Sequence, residues 1–319
     1  MLRRRQQRTC ARHPLRRLRE AVEETTGDRR LSPCSEASRQ RCSCFWEQAS
    51  SGGSAMVREL RLPGASTLVF VLLNLVGLAA YLNPFLAPEL TEGETFAHRT
   101  DAPVVFAFTA ALCLTLIVAD LTSHGLNSKS LAALGVLAAL AAVLRTITLP
   151  AGANLYFFLV ILGGYAFGYR MGFLLGALSF FLSAVVTAGF GPWLPFQMFA
   201  SAWMGASAGA LRPAVERLGA GPKAEIIAVV LFGIAWGLLF GAVTNLWSWP
   251  FFVAGPDISY EPGLGPVETL RRYWNYYILT SFGWDLLRSV ANAVVLAFVG
   301  GPLLRALLRF QERFSFQLR

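Results

Sequence analysis

Charged residues are scarce in this sequence. They make up 15% of its 319 residues, whereas about a quarter of the residues in a soluble domain are charged. In contrast, 55% of the residues are hydrophobic, and the mean hydropathy is +0.49. A soluble protein of this length needs more polar residues to cover its surface, so the composition excludes a soluble globular protein and favours a membrane protein.

Histidine is also rare, which bears on catalysis. Residues 205–209 match the G-x-S-x-G pattern of serine hydrolases around Ser207. A serine nucleophile needs a base within hydrogen-bond reach. The only histidines are His13, His98 and His124, and none lies in a segment that meets Ser207. Walker, GxGxxG and HExxH motifs are absent too. We therefore expect no catalytic residues, no enzyme activity and no cofactor in this chain.

Residues 1–60 form a basic segment without apolar periodicity. The first 55 residues contain twelve arginines against six acidic residues, a composition typical of disorder. A basic tail can bind nucleic acid, but the excess of positive charge in cytoplasmic segments is the better explanation, and we expect no nucleic-acid partner. Met56 is an alternative start. Four of the five cysteines lie here without zinc-ligand spacing, so we expect no metal site.

The rest of the chain contains apolar runs of membrane-spanning length. A helix needs about 20 residues to cross the hydrocarbon core, and backbone groups in lipid must be satisfied within the helix. The fold is therefore predicted to be an all-α integral membrane bundle. We place two additional transmembrane helices in residues 61–128, a six-helix core in 129–310 and a cytoplasmic tail in 311–319. The eight predicted segments are 65–82, 103–118, 131–148, 154–167, 171–188, 194–211, 224–247 and 273–304.

The charges of the connections predict the orientation. One set of alternate connections holds Arg170, Arg212, Arg217, Lys223 and the arginines of the C-terminal tail. The opposite set is acidic or neutral, and it includes the long connection 248–272, rich in Gly and Pro. Because cytoplasmic loops carry the excess of Lys and Arg, both termini are predicted inside the plasma membrane. The connection 248–272 is then an external lid.

Small residues recur at four-residue spacing in the third segment. Gly135 and Ala139 share one helix face, and so do Ala138 and Ala142. Small faces permit close approach of helix backbones. The pairs indicate either ordinary packing within the chain or a surface on which a partner docks.

Polar residues within the predicted helices need an explanation, since burying a charge in a membrane is costly. Arg145 stands at the outer end of its helix, where it either faces the interior or reaches the lipid interface. Asp285 and Arg288 lie three residues apart on one face, as a structural ion pair or as ligand contacts. Asn245 near the outer end of the seventh helix has the same two interpretations.

Tryptophan and tyrosine are concentrated toward the predicted outer side. Aromatic belts normally mark both membrane interfaces, but the inner connections between helices lack tryptophan. The asymmetry favours a ligand site with stacking surfaces over a simple belt.

Four features follow one another along residues 130–309. They are Leu144-Arg145 before Leu149-Pro150, the glycine- and aromatic-rich stretch 159–179, the stretch 191–198 with Gly191-Pro192-Trp193, and the aromatic stretch 236–241. In this order they resemble the substrate-binding S component of energy-coupling factor (ECF) vitamin transporters. The chain departs from the family by its two extra helices and basic tail.

The resemblance implies a function for the residues above. Such proteins bind a vitamin or vitamin precursor near the outer face and dock a T component and two ATPases, which use the ATP. Ala138 and Ala142 would match the family's docking motif, with Gly135 and Ala139 beside them. The expected substrate contacts are Arg145, Trp193, Gln197, Trp203, Asn245, Trp274, Asn275, Asp285 and Arg288. Corrinoid, pyrimidine and flavin substrates remain open. The alternatives are a stand-alone secondary carrier and a membrane assembly or structural subunit.

Overall fold

A computed structural model describes residues 64–86, 101–122, 128–147, 155–219 and 221–315. The predicted basic segment 1–60, the alternative start at Met56 and the last residues of the C-terminal tail lie outside this part of the chain. Within it, all regular elements are helical. In chain order they are α1 (Ala65–Leu86), α2 (Ala102–Thr122), α3 (Ser128–Thr146), α4 (Phe157–Phe167), α5 (Tyr169–Thr187), α6 (Leu194–Arg217), α7 (Pro222–Ser248), a 3₁₀ turn (Trp249–Phe251), α8 (Pro266–Thr280), α9 (Phe282–Val295), a π-helical segment (Leu296–Gly300) and α10 (Gly301–Ser315).

Six helical stretches are long and apolar enough to cross a membrane. They are α1, α2, α3, α5, α7 with its 3₁₀ turn, and the continuous stretch Phe282–Arg313. Between them, α4 has only 11 residues, of which nine are buried, and α6 has 24. The predicted all-α membrane bundle, a six-helix core preceded by two extra helices, is confirmed.

The last predicted segment, 273–304, is wrong as a single helix. Its first part belongs to α8, which begins at Pro266 and ends at Thr280. Ser281 leaves the helical conformation, with φ −131°, and α9 begins at Phe282. Ser281 and Gly283 favour a helix less than alanine or leucine does. The prediction missed the break because it rested on the length of the apolar run, which continues through both residues. The long connection is correspondingly shorter than predicted.

Close backbone contact joins α5 to α6 at the centre of the core. A Cβ added to Gly172 would lie 2.2 Å from the carbonyl oxygen of Gly205, and one added to Gly176 would lie 2.2 Å from that of Ser201. Only glycine permits this approach, which supplies contact between helices in lipid. The hydroxyl of Ser207 donates to the carbonyl of Trp203 at 2.6 Å. The G-x-S-x-G pattern is therefore part of helix packing.

Arg170 in the first turn of α5 bonds to both of the extra helices. Its guanidinium pairs with Asp120 of α2 at 2.9 Å and donates to the hydroxyls of Ser66 and Thr67 in α1 at 2.8 and 2.6 Å. Asp120 and Ser66 are buried. Since buried charges are stable only when paired and hydrogen-bonded, these contacts make the extra helices a fixed part of the fold.

The bundle has two chemically different ends. At one, Phe167 packs against Phe310, with ring centroids 6.2 Å apart, and Arg212 donates to Gln311 at 2.8 Å. We call this the basic end, because it also carries Arg170, Arg217, Lys223, Arg305, Arg309 and Arg313. At the opposite end lie residues 188–193 and the segment 249–280. This segment contains nearly all of the predicted external lid 248–272 and the whole of α8, and from here on we call 249–280 the lid and this end of the bundle the lid end.

Candidate functional site

Four aromatic side chains meet in the core near the lid end. Phe180 of α5 stacks on Phe240 of α7, with centroids 5.9 Å apart and planes at 21°. Tyr156 stands edge-on to Phe180 at 5.0 Å, and Phe157 stands edge-on to Phe240 at 4.9 Å. All four are buried. This aromatic cluster joins the start of α4 to the lid-end halves of α5 and α7.

Arg145 lies against the α5 side of the aromatic cluster. It belongs to the last turn of α3, and its guanidinium carbon is 4.3 Å from the centroid of Phe180. Nη1 donates to the hydroxyl of Ser183 at 2.9 Å. A guanidinium over a ring face is attracted by the ring quadrupole. Arg145 therefore faces the core, which is the first of the two orientations that the sequence left open.

Arg288 lies against the opposite side of the cluster. Its guanidinium carbon is 5.3 Å from the centroid of Phe157 and 5.4 Å from that of Phe240. Nη1 pairs with Asp285 at 2.5 Å and donates to the carbonyl of Gly237 at 3.4 Å. Asp285 is only 2% exposed. The predicted pair thus forms, and it shares one aromatic cluster with Arg145.

A glycine groove on α7 holds the polar face of α9. Gly233, Gly237 and Gly241 follow one another at four-residue spacing. A Cβ on Gly241 would lie 1.6 Å from Oδ2 of Asp285, and one on Gly237 would lie 2.3 Å from Oγ of Ser289. Sequence reasoning missed this groove, although the glycine spacing is its signal. The groove fixes the position of Asp285 against backbone.

Trp203 of α6 contacts α1, one of the two extra helices. Its indole nitrogen donates to Oδ1 of Asn74 in α1 at 2.9 Å. Nearby, the hydroxyl of Tyr81 donates to the carbonyl of Phe196 at 2.8 Å, and the ring of Tyr81 lies 5.5 Å from that of Trp203. These bonds tie α1 to α6. A structural role for Trp203 accounts for its position without a substrate.

Three further predicted contacts, Asn245, Trp274 and Asn275, lie in the lid or beside its junction with α9. Asn245 donates to the hydroxyl of Ser281, at the helix break, at 2.6 Å. Asn275 donates to the carbonyl of Asp257 at 3.2 Å. Trp274 is 47% exposed. Asn245 and Asn275 therefore make structural contacts within or beside the lid, Trp274 faces outward, and none of the three joins the aromatic cluster.

Trp193 and Gln197 lie at the start of α6. Trp193 is exposed, and its ring packs on Gly191, where a Cβ would lie 2.3 Å away. Gln197 is half-buried. An apolar cavity of about 310 Å³ opens between the start of α2 and this connection; it is lined by Ala102, Pro103, Phe106, Phe190, Gly191, Pro192, Leu194 and Pro195.

The lid carries its own small apolar core. Trp249, Tyr273 and Tyr276 are buried together, with Phe85 of α1 and Tyr260 packed against them. The opposite face of α8 exposes apolar side chains, namely Val267, Leu270, Trp274, Ile278 and Leu279. An amphipathic helix of this kind suits a membrane interface.

Ion pairs on the surface of α8 hold the charged part of the lid. Glu268 pairs with Arg271 at 2.7 Å and with Arg272 at 3.1 Å, and Arg272 reaches Glu261 at 3.2 Å. Hydrogen bonds from Arg271 and then Arg272 lower the pKa of Glu268 from 4.5 to about 2. The carboxylate therefore stays ionised throughout the physiological pH range.

The two small-residue pairs of α3 lie on different sides. Ala138 and Ala142 are each 1% exposed, so they are already covered by this chain. Gly135 and Ala139 are exposed, together with Val136. A partner can therefore reach Gly135 and Ala139 directly, and Ala138 and Ala142 only if helices of this chain move apart.

These features define a multi-pass helical membrane protein whose lid end has a polar, aromatic centre. A sequence model of the family described as ECF transporter, substrate-specific component matches residues 129–300, more than half of the chain. The chain belongs to this family. Neither a curated protein nor a solved structure matches it. The matched range begins at α3 and leaves out α1 and α2.

Proposed function

We propose that the chain binds a vitamin or vitamin precursor at the lid end, for ATP-driven uptake by partner subunits. The partners would be a T component and two ATPases. The chain itself would supply affinity and specificity without catalysis or a cofactor. Membership of the substrate-specific component family is the observation that carries this proposal.

The proposed solute site uses the lid end of the core. Ligand sites in helical bundles form between helices, and they combine apolar walls with a few polar groups. The buried aromatic cluster would form the base of such a site, and Arg145 and Gln197 supply polar groups near the lid-end termini of α3 and α6. The lid would cover this region, with Asn245 and Ser281 at its hinge.

The charge distribution supports an orientation in the plasma membrane. The basic end concentrates arginine and lysine, whereas the lid carries three acidic residues, Asp257, Glu261 and Glu268, against two basic ones, Arg271 and Arg272. By the positive-inside rule, the lid end would face outward, and both termini would lie in the cytoplasm. A solute would then enter from outside.

Partner subunits would dock on the exposed side of α3. Gly135 and Ala139 share that face and allow a second helix to approach closely. The extra helices cover parts of α5 and α6 through Arg170 and Trp203, which leaves α3 accessible.

Co-purification tests the partnership. A tagged chain is isolated in mild detergent from cells that also express a T component and two ATPases. The proposal expects all four proteins in one complex. Recovery of the tagged chain alone, with the other three assembled without it, would contradict the proposed partnership.

A further inference from the structure

We infer that the solute bound at the lid end carries an acidic group, a carboxylate or a phosphate, which Arg145 neutralises. The inference rests on the proposed function, because it names the substrate class of the same site. Its basis is a difference between the two arginines that flank the aromatic cluster.

Arg145 has no acidic partner in the part of the chain that the structure describes. Its recorded contacts are one hydrogen bond to the neutral hydroxyl of Ser183 and the ring of Phe180. The sequence that follows, residues 146–156, contains no Asp or Glu. A guanidinium at the end of a membrane helix that faces the interior of the bundle, and not the lipid interface, is costly to desolvate and normally has a partner.

Arg288 lies in similar surroundings, but its positive charge is neutralised by an acidic side chain. It contacts the other side of the cluster, but Asp285 neutralises it. Oδ2 of Asp285 is packed against Gly241, and Asp285 is only 2% exposed. The pair is therefore structural. The cluster retains one positive charge, which is that of Arg145.

The surroundings of Arg145 favour a solute over a lipid phosphate. Phe180 is 3% exposed and Ser183 is fully buried. Arg145 follows Ala138 and Ala142 at spacings of seven and three residues, so it shares their buried side of α3. The lipid-accessible side of the same helix carries Ala139 and Val143. The guanidinium thus faces the interior of the bundle.

The guanidinium is suited to an acid. It has five N–H donors in a planar fork that matches carboxylate and phosphate oxygens, and the structure records one of them in use, toward Ser183. Its stacking on Phe180 fixes the plane in which a second partner would bind. A solute bearing an acid would then bind the free donors of the guanidinium beside the buried ring cluster.

The test measures what the purified chain releases on heat denaturation. Wild type, Arg145→Gln, Arg145→Lys and Arg217→Gln are purified identically, and released solutes and phospholipids are quantified by mass spectrometry. Arg217 is the control, because it is an exposed arginine at the basic end, away from the proposed site and the lid. Esterification in acidic methanol identifies a carboxylate, and phosphatase treatment identifies a phosphate.

Wild type and Arg217→Gln should release the same acidic solute. Loss of one partner of a desolvated charge pair typically costs enough to reduce binding about thirtyfold or more, so Arg145→Gln should release correspondingly less. Arg145→Lys should retain part of it, since the charge remains. A neutral solute, or equal release from Arg145→Gln, would overturn the inference but leave solute binding intact. Depletion of an anionic phospholipid alone would also overturn it. If wild type releases no solute at all, the proposed function fails.

Discussion

Replacing Gly241 by alanine tests the geometry of the polar centre. The new methyl carbon would lie 1.6 Å from Oδ2 and 2.2 Å from Cγ of Asp285, whereas real Cβ atoms almost never come closer than 3.0 Å to another atom. The carboxylate and α7 must therefore separate by more than an ångström. That movement disturbs the ion pair with Arg288, which lies 2.5 Å from Asp285.

The expected cost combines two effects. Overpacking of a filled interior costs about 1–3 kcal/mol, and loss of a partner from a buried ion pair costs about 3–5 kcal/mol. Because the pair is weakened rather than removed, we expect Gly241→Ala to destabilise the chain by about 3 kcal/mol. For a domain of this size, that lowers the melting temperature by about 6–12 °C.

Thermal unfolding of the purified chain in detergent, followed by tryptophan fluorescence, measures this effect. Gly283→Ala is the matched control, because Gly283 lies on α9 and a Cβ there has no neighbour within 4 Å. The control should melt at or slightly above the wild-type temperature, since alanine favours helix. If Gly241→Ala melted like Gly283→Ala, the close packing of Asp285 against α7 would be refuted.

Three further predictions follow from other contacts. Ala139→Trp should abolish co-purification with the T component without lowering the melting temperature, whereas Ala138→Trp should destabilise the chain itself, since Ala138 is buried; equal effects on both assays would contradict this division. Asp120→Asn should cost about 3 kcal/mol by weakening the buried pair with Arg170, and an unchanged melting temperature would count against it. Because the folded pKa of Glu268 is lowered from 4.5 to about 2, its stabilisation of the lid is complete above pH 4.5 and is lost as pH falls toward 2. Protection of the α8 amides from hydrogen exchange, taken relative to the intrinsic exchange rate at each pH, should therefore stay constant from pH 7 to 5 and fall only in stronger acid, and a loss of protection already near pH 6 would show that other groups hold the lid.

The helices and the class of fold could be predicted because length and hydropathy alone determine them. Apolar runs of spanning length must be helical in lipid, and seven of the eight predicted segments each overlap one helix, whereas 273–304 crosses a helix break. The break at Ser281 could not be predicted in this way. It depends on one or two residues within a run whose average hydropathy stays high.

The site could be predicted only in part. The Asp285–Arg288 pair follows from helix periodicity, because residues three apart share a face. The stacking of Arg145 on Phe180 joins residues of two helices, and no local pattern reveals it. The role of Trp203 depends on Asn74 in an extra helix, so it needed the tertiary structure.

The sequence also could not predict which face of α3 is turned toward the rest of the chain. Two small-residue pairs offer two equivalent faces, and only packing within the chain decides which one is covered. The structure buries Ala138 and Ala142 and exposes Gly135 and Ala139. The docking prediction therefore now rests on the exposed pair.

Uptake into proteoliposomes tests the central claim most directly, namely that this chain binds a solute but depends on partners to move it. Vesicles are prepared with the chain alone and with the chain, a T component and two ATPases, and they receive the solute that the purified chain releases. The account predicts uptake only by the four-protein complex supplied with ATP on the ATPase side. Equal uptake by vesicles that contain the chain alone, without ATP, would contradict it and identify a secondary carrier.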